Sequence, residues 1–333
     1  MADDERAPLR VGLLLPTREQ AISGRAAPGE LLEVATLAES LGFDSVWAGE
    51  SPVARPRLNP IVLLASVAAR TEAVALGTAV VLPALRSPVL LAQEIASLDQ
   101  ISAGRLSLGL GAGFPFPATE AEFAACGVPF RERIGRLIES VEILRRLWTE
   151  EQPVTFSGRY WSFEGLRLEP RPARLGGPPL WLAGAGPKAL ARTGRHFDGW
   201  LPYSPTPELF AEGLAQVRGA AEAAGRTPDL VLPAIYLTVA LDDDPERAER
   251  ALEDYCQAYY GLPLEGMRKL QAFYGGDAAG LARWIRGYLE AGARHVIVRL
   301  ATLGDPRPMA AAVSENVLPA LRQREPVSGG SAP

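Results

Sequence analysis

A short glycine-rich segment is the clearest candidate for anion binding in this chain. Gly184, Ala185 and Gly186 follow an apolar run, and Pro187 and Lys188 open the helix-like stretch behind them. At a helix start, free backbone N–H groups and the helix dipole favour a phosphate group, and small residues allow its close approach. The segment therefore predicts a phosphate site, to which Lys188 could add a charge. A plain strand-to-helix turn and a solvated lysine are the alternatives.

Side chains at the ends of other apolar runs are candidates for substrate binding. Thr17 and Arg18 follow the first run, where Arg18 could hold an anionic substrate or cofactor, or could be solvated. Trp200, Tyr203 and Tyr236 lie at or near the ends of the sixth and seventh runs. They could line an aromatic pocket in which a tyrosine hydroxyl donates a proton, although aromatic residues at strand ends also simply pack.

These residues are positioned by an alternation of strand-like and helix-like segments. Eight apolar runs predict strands, at residues 9–15, 45–48, 74–82, 106–110, 180–183, 199–202, 230–240 and 295–300. Helices are predicted at residues 29–41, 60–69, 88–101, 131–149, 187–195, 207–224 and 245–259, and several begin at or next to proline. The pattern predicts an α/β fold, a (β/α)8 TIM barrel, whose site lies where the strands end.

Two segments interrupt the alternation. Residues 153–172 and 261–276 are interpreted as insertions at the C-terminal face of the strands, where long loops often cover a site, and we expect them to form the substrate pocket. The predicted organisation is one barrel domain over residues 1–322. Residues 323–333 are rich in Pro, Gly and Ser and predict a disordered tail.

Charge and composition narrow the function classes. The 333 residues carry a net charge of -5, with no basic stripe for nucleic acid and no apolar run long enough for a membrane span. The charged N-terminus lacks the apolar core of a signal peptide, and Cys126 and Cys256 are too few for a disulfide framework or a metal cluster. We therefore expect a cytoplasmic globular enzyme with reduced thiols and no metal.

Four polar residues fall at the wrong ends of the predicted strands for catalysis. Asp99 and Arg105 precede the fourth strand, His196 precedes the sixth, and His295 begins the eighth. These positions lie at the bottom of a barrel, where residues stabilise the fold. We assign Asp99 and Arg105 to stability and expect neither histidine to be catalytic.

Seven short motifs along the chain carry a family resemblance. They are LAESLGFDSVW at 37–47, LGTAV at 76–80, LDQISAGR at 98–105, GLGAG at 109–113, FRERIGRLIE at 130–139, PPLWLAGAGP at 178–187 and DGW at 198–200. In this order they resemble the luciferase-like monooxygenase superfamily, from about Arg10 to Leu318. The resemblance implies a barrel that binds flavin mononucleotide (FMN) or the deazaflavin coenzyme F420 at the C-terminal ends of its strands.

The resemblance also implies where the cofactor lies. Thr78, Ala79 and Val80, at the end of the third strand, would form a shelf for the ring, with a non-proline cis peptide between Ala79 and Val80. An ordinary buried strand is the alternative. The turn after the fourth strand would leave room beside the ring, or could be only a tight turn: Gly111, Ala112 and Gly113.

Many members of this superfamily carry a histidine just after the second strand, and this chain does not. Its segment reads WAGES at 47–51, so Glu50 and Ser51 occupy that place. A buried glutamate beside the ring could replace the histidine as proton donor, and a capping or salt-bridging role for Glu50 is the alternative. We expect Glu50 and Arg18 in catalysis, and Thr17 and Ser51 in the substrate pocket.

Together these observations predict hydride transfer, through coenzyme F420, to or from a small organic substrate. The abundance of Ala, Arg, Gly and Pro is typical of high-GC actinobacteria, where the deazaflavin branch of the superfamily is frequent. One alternative is an FMN-dependent monooxygenase that receives reduced flavin from a separate reductase. The other is a barrel that binds flavin without catalysis. The resemblance further implies a homodimer.

Overall fold

Strands and helices alternate through residues 8–25 and 27–323, which the computed structural model describes. The strands are β1 (Arg10–Leu14), β2 (Ser45–Ala48), β3 (Ala75–Thr78), β4 (Leu106–Leu110), β5 (Val154–Ser157), β6 (Ser162–Leu166), β7 (Leu180–Leu182), β8 (Gly199–Trp200), β9 (Leu232–Leu241), β10 (Ala272–Gly276) and β11 (His295–Leu300). The helices are α1 (Thr17–Ile22), α2 (Pro28–Ser40), α3 (Pro60–Ala68), α4 (Pro88–Ile101), α5 (Pro117–Ala125), α6 (Arg133–Thr149), α7 (Pro187–His196), α8 (Pro207–Ala223), α9 (Pro245–Tyr260), α10 (Leu264–Arg268), α11 (Ala278–Glu290), α12 (Arg307–Ala312) and α13 (Leu318–Arg322). The predicted tail at 323–333 lies outside the described residues, apart from Gln323.

Eight parallel strands close into a barrel, in the order β1, β2, β3, β4, β7, β8, β9 and β11, and β11 pairs back with β1. Gly12 of β1 is in register with Ser45 on one side and with Ile297 on the other. The predicted (β/α)8 barrel is therefore confirmed. Among the described residues, every helix is too short or too polar to span a lipid bilayer.

The predicted helices agree with the structure to within two residues at each end, and the helix at 88–101 agrees at both ends. Helices α1, α5, α10, α11, α12 and α13 were not predicted. The strand predicted at 74–82 is too long. It ends at Thr78, and beyond it Val81 makes only an isolated bridge with Leu110.

The two predicted insertions differ in their relation to the barrel mouth. Residues 153–172 contain the antiparallel hairpin β5–β6, which is fixed to α6 because Glu139 accepts hydrogen bonds from the backbone N–H groups of Arg159 and Tyr160. The hairpin does not reach the cavity at the mouth, so its expected place in the pocket is wrong. Residues 261–276 do reach the cavity, and they supply β10, an additional strand parallel to the outer half of β9.

Large aromatic side chains plug the lower part of the barrel. The rings of Trp47 and Trp181 lie 5.2 Å apart, and each lies 5.3 Å from the imidazole of His295. Gly77 on β3 makes room for this plug, since a Cβ there would lie 2.1 Å from the Trp47 ring. These side chains therefore fill the lower part of the barrel interior.

The residues assigned to stability lie below the plug. Arg105 donates hydrogen bonds to the carbonyl oxygens of Ala68, Thr71 and Val74, and so joins the end of α3 to the start of β3. Buried Asp99 accepts from the backbone N–H of Arg174. Their assignment to stability agrees with these contacts.

Candidate active site

A cavity of about 560 Å³ opens at the C-terminal ends of the barrel strands. Ligand sites usually measure roughly 300 to 1,000 Å³. Seven of the eight barrel strands contribute to its wall, either directly or through the segment that follows them. These are represented by Glu50 after β2, Val80 after β3, Gly111 after β4, Gly184 after β7, Tyr203 after β8, Tyr236 within β9 and Arg299 within β11.

A flat apolar shelf forms the floor of the cavity. The peptide bond between Ala79 and Val80 is cis, as the resemblance implied, and both residues line the cavity. The backbone N–H of Gly111 donates to the carbonyl of Val81 at 2.9 Å, and this bond holds the end of β4 beside the shelf. A Cβ on Gly111 would lie 2.5 Å from the Val80 side chain, so only glycine allows this approach. Thr78 lies beneath the shelf, where its hydroxyl donates to the carbonyl of Gly109.

The predicted phosphate segment borders one side of the cavity. Gly184, Ala185 and Gly186 line it directly before α7, whereas Pro187 and Lys188 do not. Lys188 is exposed to solvent, so the structure places only the glycine segment at the cavity. Arg133 and Arg192 line the same side of the cavity, and we call the glycine segment and these two arginines together the glycine end.

Two arginines of the glycine end were not identified from the sequence. The guanidinium of Arg133 lies 3.8 Å from the ring centre of Phe130, and its buried Nε has no hydrogen-bond partner. Burial lowers the pKa of Arg192, and the charge of Arg133 acts in the same direction. Two like charges therefore face the same space beside the backbone of the glycine segment, which is an arrangement suited to an anion.

Trp200 was predicted to line the pocket, and it does not. Its side chain is fully buried, stacks on Phe210 at 5.0 Å and donates from Nε1 to the carbonyl oxygen of Gly184 at 2.8 Å. The tryptophan therefore holds the glycine segment in place from behind.

Glu50 lies on the cavity wall with both carboxylate oxygens engaged. One oxygen accepts from the backbone N–H of Leu82 at 2.7 Å, and the other accepts from the guanidinium of Arg86. Its side chain is only 3% exposed. These contacts agree with the salt-bridging role that the sequence left open for Glu50 as the alternative to proton donation. Ser51 lines the cavity nearby and donates to Glu122 at 2.7 Å.

Thr17 and Arg18 do not line the cavity, contrary to expectation. Both belong to α1, which turns them away from the mouth. Arg18 donates from Nε and Nη2 to the backbone carbonyl of Tyr259, at 3.1 and 2.9 Å, and thereby ties α1 to α9. Thr17 is buried in the same helix.

The opposite side of the cavity is built from tyrosines and arginines. Tyr203, Tyr236, Tyr259 and Tyr260 line it together with Arg57 and Arg299, and we call this side the tyrosine end. The rings of Tyr203 and Tyr236 meet edge to face at 5.1 Å, so these two predicted pocket residues do come together. Arg299 is buried and donates to the hydroxyl of Thr238 at 2.7 Å.

Two tyrosines of this end, Tyr203 and Tyr236, are neutral at physiological pH. Burial raises the pKa of Tyr236 well above its ordinary value, although the charge of Arg299 opposes the shift. Desolvation also raises the pKa of Tyr203, although this residue is 36% exposed. A phenol with a raised pKa keeps its proton, so both hydroxyls can donate a hydrogen bond to a ligand.

Neither histidine is near the cavity. His295 forms a 2.7 Å hydrogen bond with Ser45 inside the plug, and burial lowers its pKa to about 3. His196 is the last residue of α7, on the surface. Catalysis in the cavity therefore has to use other groups, as their positions in the sequence predicted.

Comparisons with known proteins agree with this architecture. A family model described as luciferase-like monooxygenase matches residues 9–322. The F420-dependent glucose-6-phosphate dehydrogenase of Kineococcus radiotolerans is 31% identical, over 97% of this chain and 100% of that protein. The corresponding enzyme of Nakamurella multipartita is 32% identical, over 91% and 95%.

A solved structure extends the likeness to three dimensions. An F420-dependent secondary alcohol dehydrogenase in complex with an F420-acetone adduct superposes with a TM-score of 0.80 at 23% identity, over 95% of this chain and 100% of that one. Since the match of the family model covers nearly the whole chain, the protein belongs to the luciferase-like monooxygenase family.

Proposed function

We propose that this protein is an F420-dependent oxidoreductase that transfers a hydride to or from a small organic substrate. The observation that carries the proposal is the cavity in which an apolar shelf adjoins a cationic, glycine-lined end. Relatives over nearly the full length of the chain are F420-dependent dehydrogenases. When bound, the deazaflavin ring supplies the carbon that gives or accepts the hydride.

The residues of the cavity fit such a cofactor. Because Gly111 has no side chain, its backbone packs directly against Val80, and in our proposal the flat ring lies on the shelf that these residues border. The unpartnered Nε of Arg133 offers a donor to an anion at the glycine end. Backbone N–H groups at the start of α7, together with Arg133 and Arg192, would hold the phosphate.

The tyrosine end would orient the substrate. In our proposal a neutral hydroxyl of Tyr203 or Tyr236 donates a hydrogen bond to the substrate oxygen and steadies the charge that develops there. In our proposal Glu50 stabilises the cavity wall and takes no part in the reaction, because the backbone N–H of Leu82 and the guanidinium of Arg86 already donate to its two oxygens. Ser51 keeps the adjoining loop in place through Glu122.

Fluorescence titration of the purified protein tests the cofactor assignment. We expect micromolar or tighter binding of coenzyme F420 and at least about tenfold weaker binding of FMN, a difference of about 1.4 kcal/mol. Tighter binding of FMN would replace the proposal with a two-component monooxygenase. Binding of neither would remove the cofactor assignment, and binding of F420 without turnover of any alcohol, carbonyl compound or alkene would indicate a non-catalytic barrel.

Assembly and location are part of the same proposal. We infer a cytoplasmic homodimer, organised as a single domain over residues 1–322. Its support is that both cysteines are unpaired, and that Val62 of α3 and Leu90 of α4 expose apolar side chains by 67% and 58%. Light scattering should give twice the mass of the chain, and limited proteolysis should leave the barrel as one fragment. A separate reductase would be required only if FMN proves to be the cofactor.

A further inference from the structure

Arg299 is a buried cation on the cavity wall that has no carboxylate partner. Its side chain is 2% exposed, and its hydrogen bonds go to the neutral oxygens of Thr238 and Gln271. Within residues 8–25 and 27–323, no acidic side chain forms an ion pair with it. A buried charge is costly unless it is paired, so the position favours a ligand that brings the missing negative charge.

The surroundings of Arg299 add to the positive charge. Arg57 lines the same end of the cavity, and Arg55 lies 5.4 Å from the ring of Tyr260. Glu19 acts on the charge of Arg57, and its carboxylate accepts a hydrogen bond from the hydroxyl of Tyr255. Among the described residues, the tyrosine end therefore carries an excess of positive charge.

Tyrosine rings surround this charge. The guanidinium carbon of Arg299 lies 5.3 Å from the ring centre of Tyr236, 4.5 Å from that of Tyr259 and 5.3 Å from that of Tyr260. Ring faces present apolar area, while the hydroxyls present donors. The space suits a flat carbon frame that ends in an anionic group.

We propose that the substrate is a small, flat organic acid whose carboxylate binds to Arg299 and Arg57. This proposal rests on the proposed function, because it names the substrate class of the same site. A carboxylate is planar and singly charged, and it pairs well with a guanidinium group. A phosphate dianion would lose more hydration on entering so enclosed an aromatic space.

Calorimetric titration of the full-length protein without cofactor tests the proposal. The probes are benzoate, benzyl alcohol as its neutral counterpart, and glucose 6-phosphate. The variants are Arg299→Met, Arg57→Met and the control Arg195→Met, which removes an exposed charge of α7 outside the cavity. We expect benzoate to bind at least about tenfold more tightly than either other probe, and each cavity variant to lose about tenfold in benzoate affinity. Arg195→Met should bind benzoate like the wild type.

Each contrary outcome is decisive. Equal binding of benzoate and benzyl alcohol, or tighter binding of glucose 6-phosphate, would overturn the proposal. Unchanged benzoate affinity in Arg57→Met would also overturn the proposal. This variant tests the carboxylate site even if Arg299→Met does not fold. Coenzyme F420 is titrated separately into the same wild-type preparation, so a failure of the cofactor assignment is distinguishable from a failure of the carboxylate site.

Discussion

The two ends of the cavity present positive charge in opposite ways. At the glycine end, Arg133 and Arg192 are only partly buried and stand beside a backbone of small residues. At the tyrosine end, Arg299 is buried among aromatic rings. An anion at the first end keeps part of its water, whereas one at the second must give it up. One cavity can therefore hold two anionic groups of different size and hydration.

The first prediction concerns Glu50, which lines the wall and in our account belongs to neither end. Arg86→Met leaves this 3% exposed carboxylate without its cationic partner, and should lower the free energy of unfolding by about 3 kcal/mol. Urea unfolding measures the loss. Glu94→Gln is the control, because exposed Glu94 lies 3.7 Å from Arg86 and should matter little. A fully stable Arg86→Met variant would return Glu50 to the list of catalytic candidates.

The second prediction separates the two ends by charge reversal. Arg192→Glu should weaken F420 binding by about 30-fold, or about 2 kcal/mol, because it places a negative charge beside the phosphate. Benzoate affinity should stay within about twofold. Fluorescence and calorimetric titrations give the two constants, with Arg195→Glu on the exposed face of α7 as the control. Equal losses for both ligands would mean that the ends are not separate sites.

The third prediction removes one hydroxyl from the tyrosine end. Tyr236→Phe should weaken benzoate binding by about fivefold, close to the ~1 kcal/mol of one hydrogen bond, and should leave F420 binding unchanged. Tyr274→Phe is the matched control, because that hydroxyl donates to the carbonyl of Asp277 outside the cavity. Similar effects of both variants would argue against a direct contact between Tyr236 and the ligand.

The smallest effect is expected from pH. Burial raises the pKa of Tyr203 and of Tyr236 above 10, so neither hydroxyl ionises as the pH rises from about 7 to 9. The arginines stay charged over the same interval, and benzoate stays ionised. Benzoate affinity should therefore be flat across it. A decline toward pH 9 would show that a tyrosine becomes anionic and repels the ligand.

The glycine end was largely predictable because its signal is local. Residues 180–188 show the pattern of a strand, a small-residue turn and a proline at a helix start within one short segment. The arginines of that end were missed, since Arg133 and Arg192 lie on helices, where most arginines are solvated. The sequence placed Trp200 correctly at a strand end, but the direction of its side chain depends on packing against Phe210.

The tyrosine end could not be predicted in the same way. Its residues come from a loop after β2, from the segment after β8, from β9, from α9 and from β11, so only the closed barrel brings them together. Arg299 did leave a signal, a charged residue near the C-terminal end of an otherwise apolar strand. Arg57 lies in an irregular loop, where nothing in the sequence indicated a place in the cavity. Arg18 was misplaced because α1 was not predicted, and that helix directs its side chain toward Tyr259.

The central claim is that one cavity contains two separate anion sites. The most direct test is a calorimetric titration of benzoate into the wild-type protein, first alone and then with saturating coenzyme F420. Our account predicts that both ligands bind together, with a benzoate dissociation constant that changes by less than about threefold. Displacement of F420 by benzoate, or loss of benzoate binding once F420 is present, would contradict it.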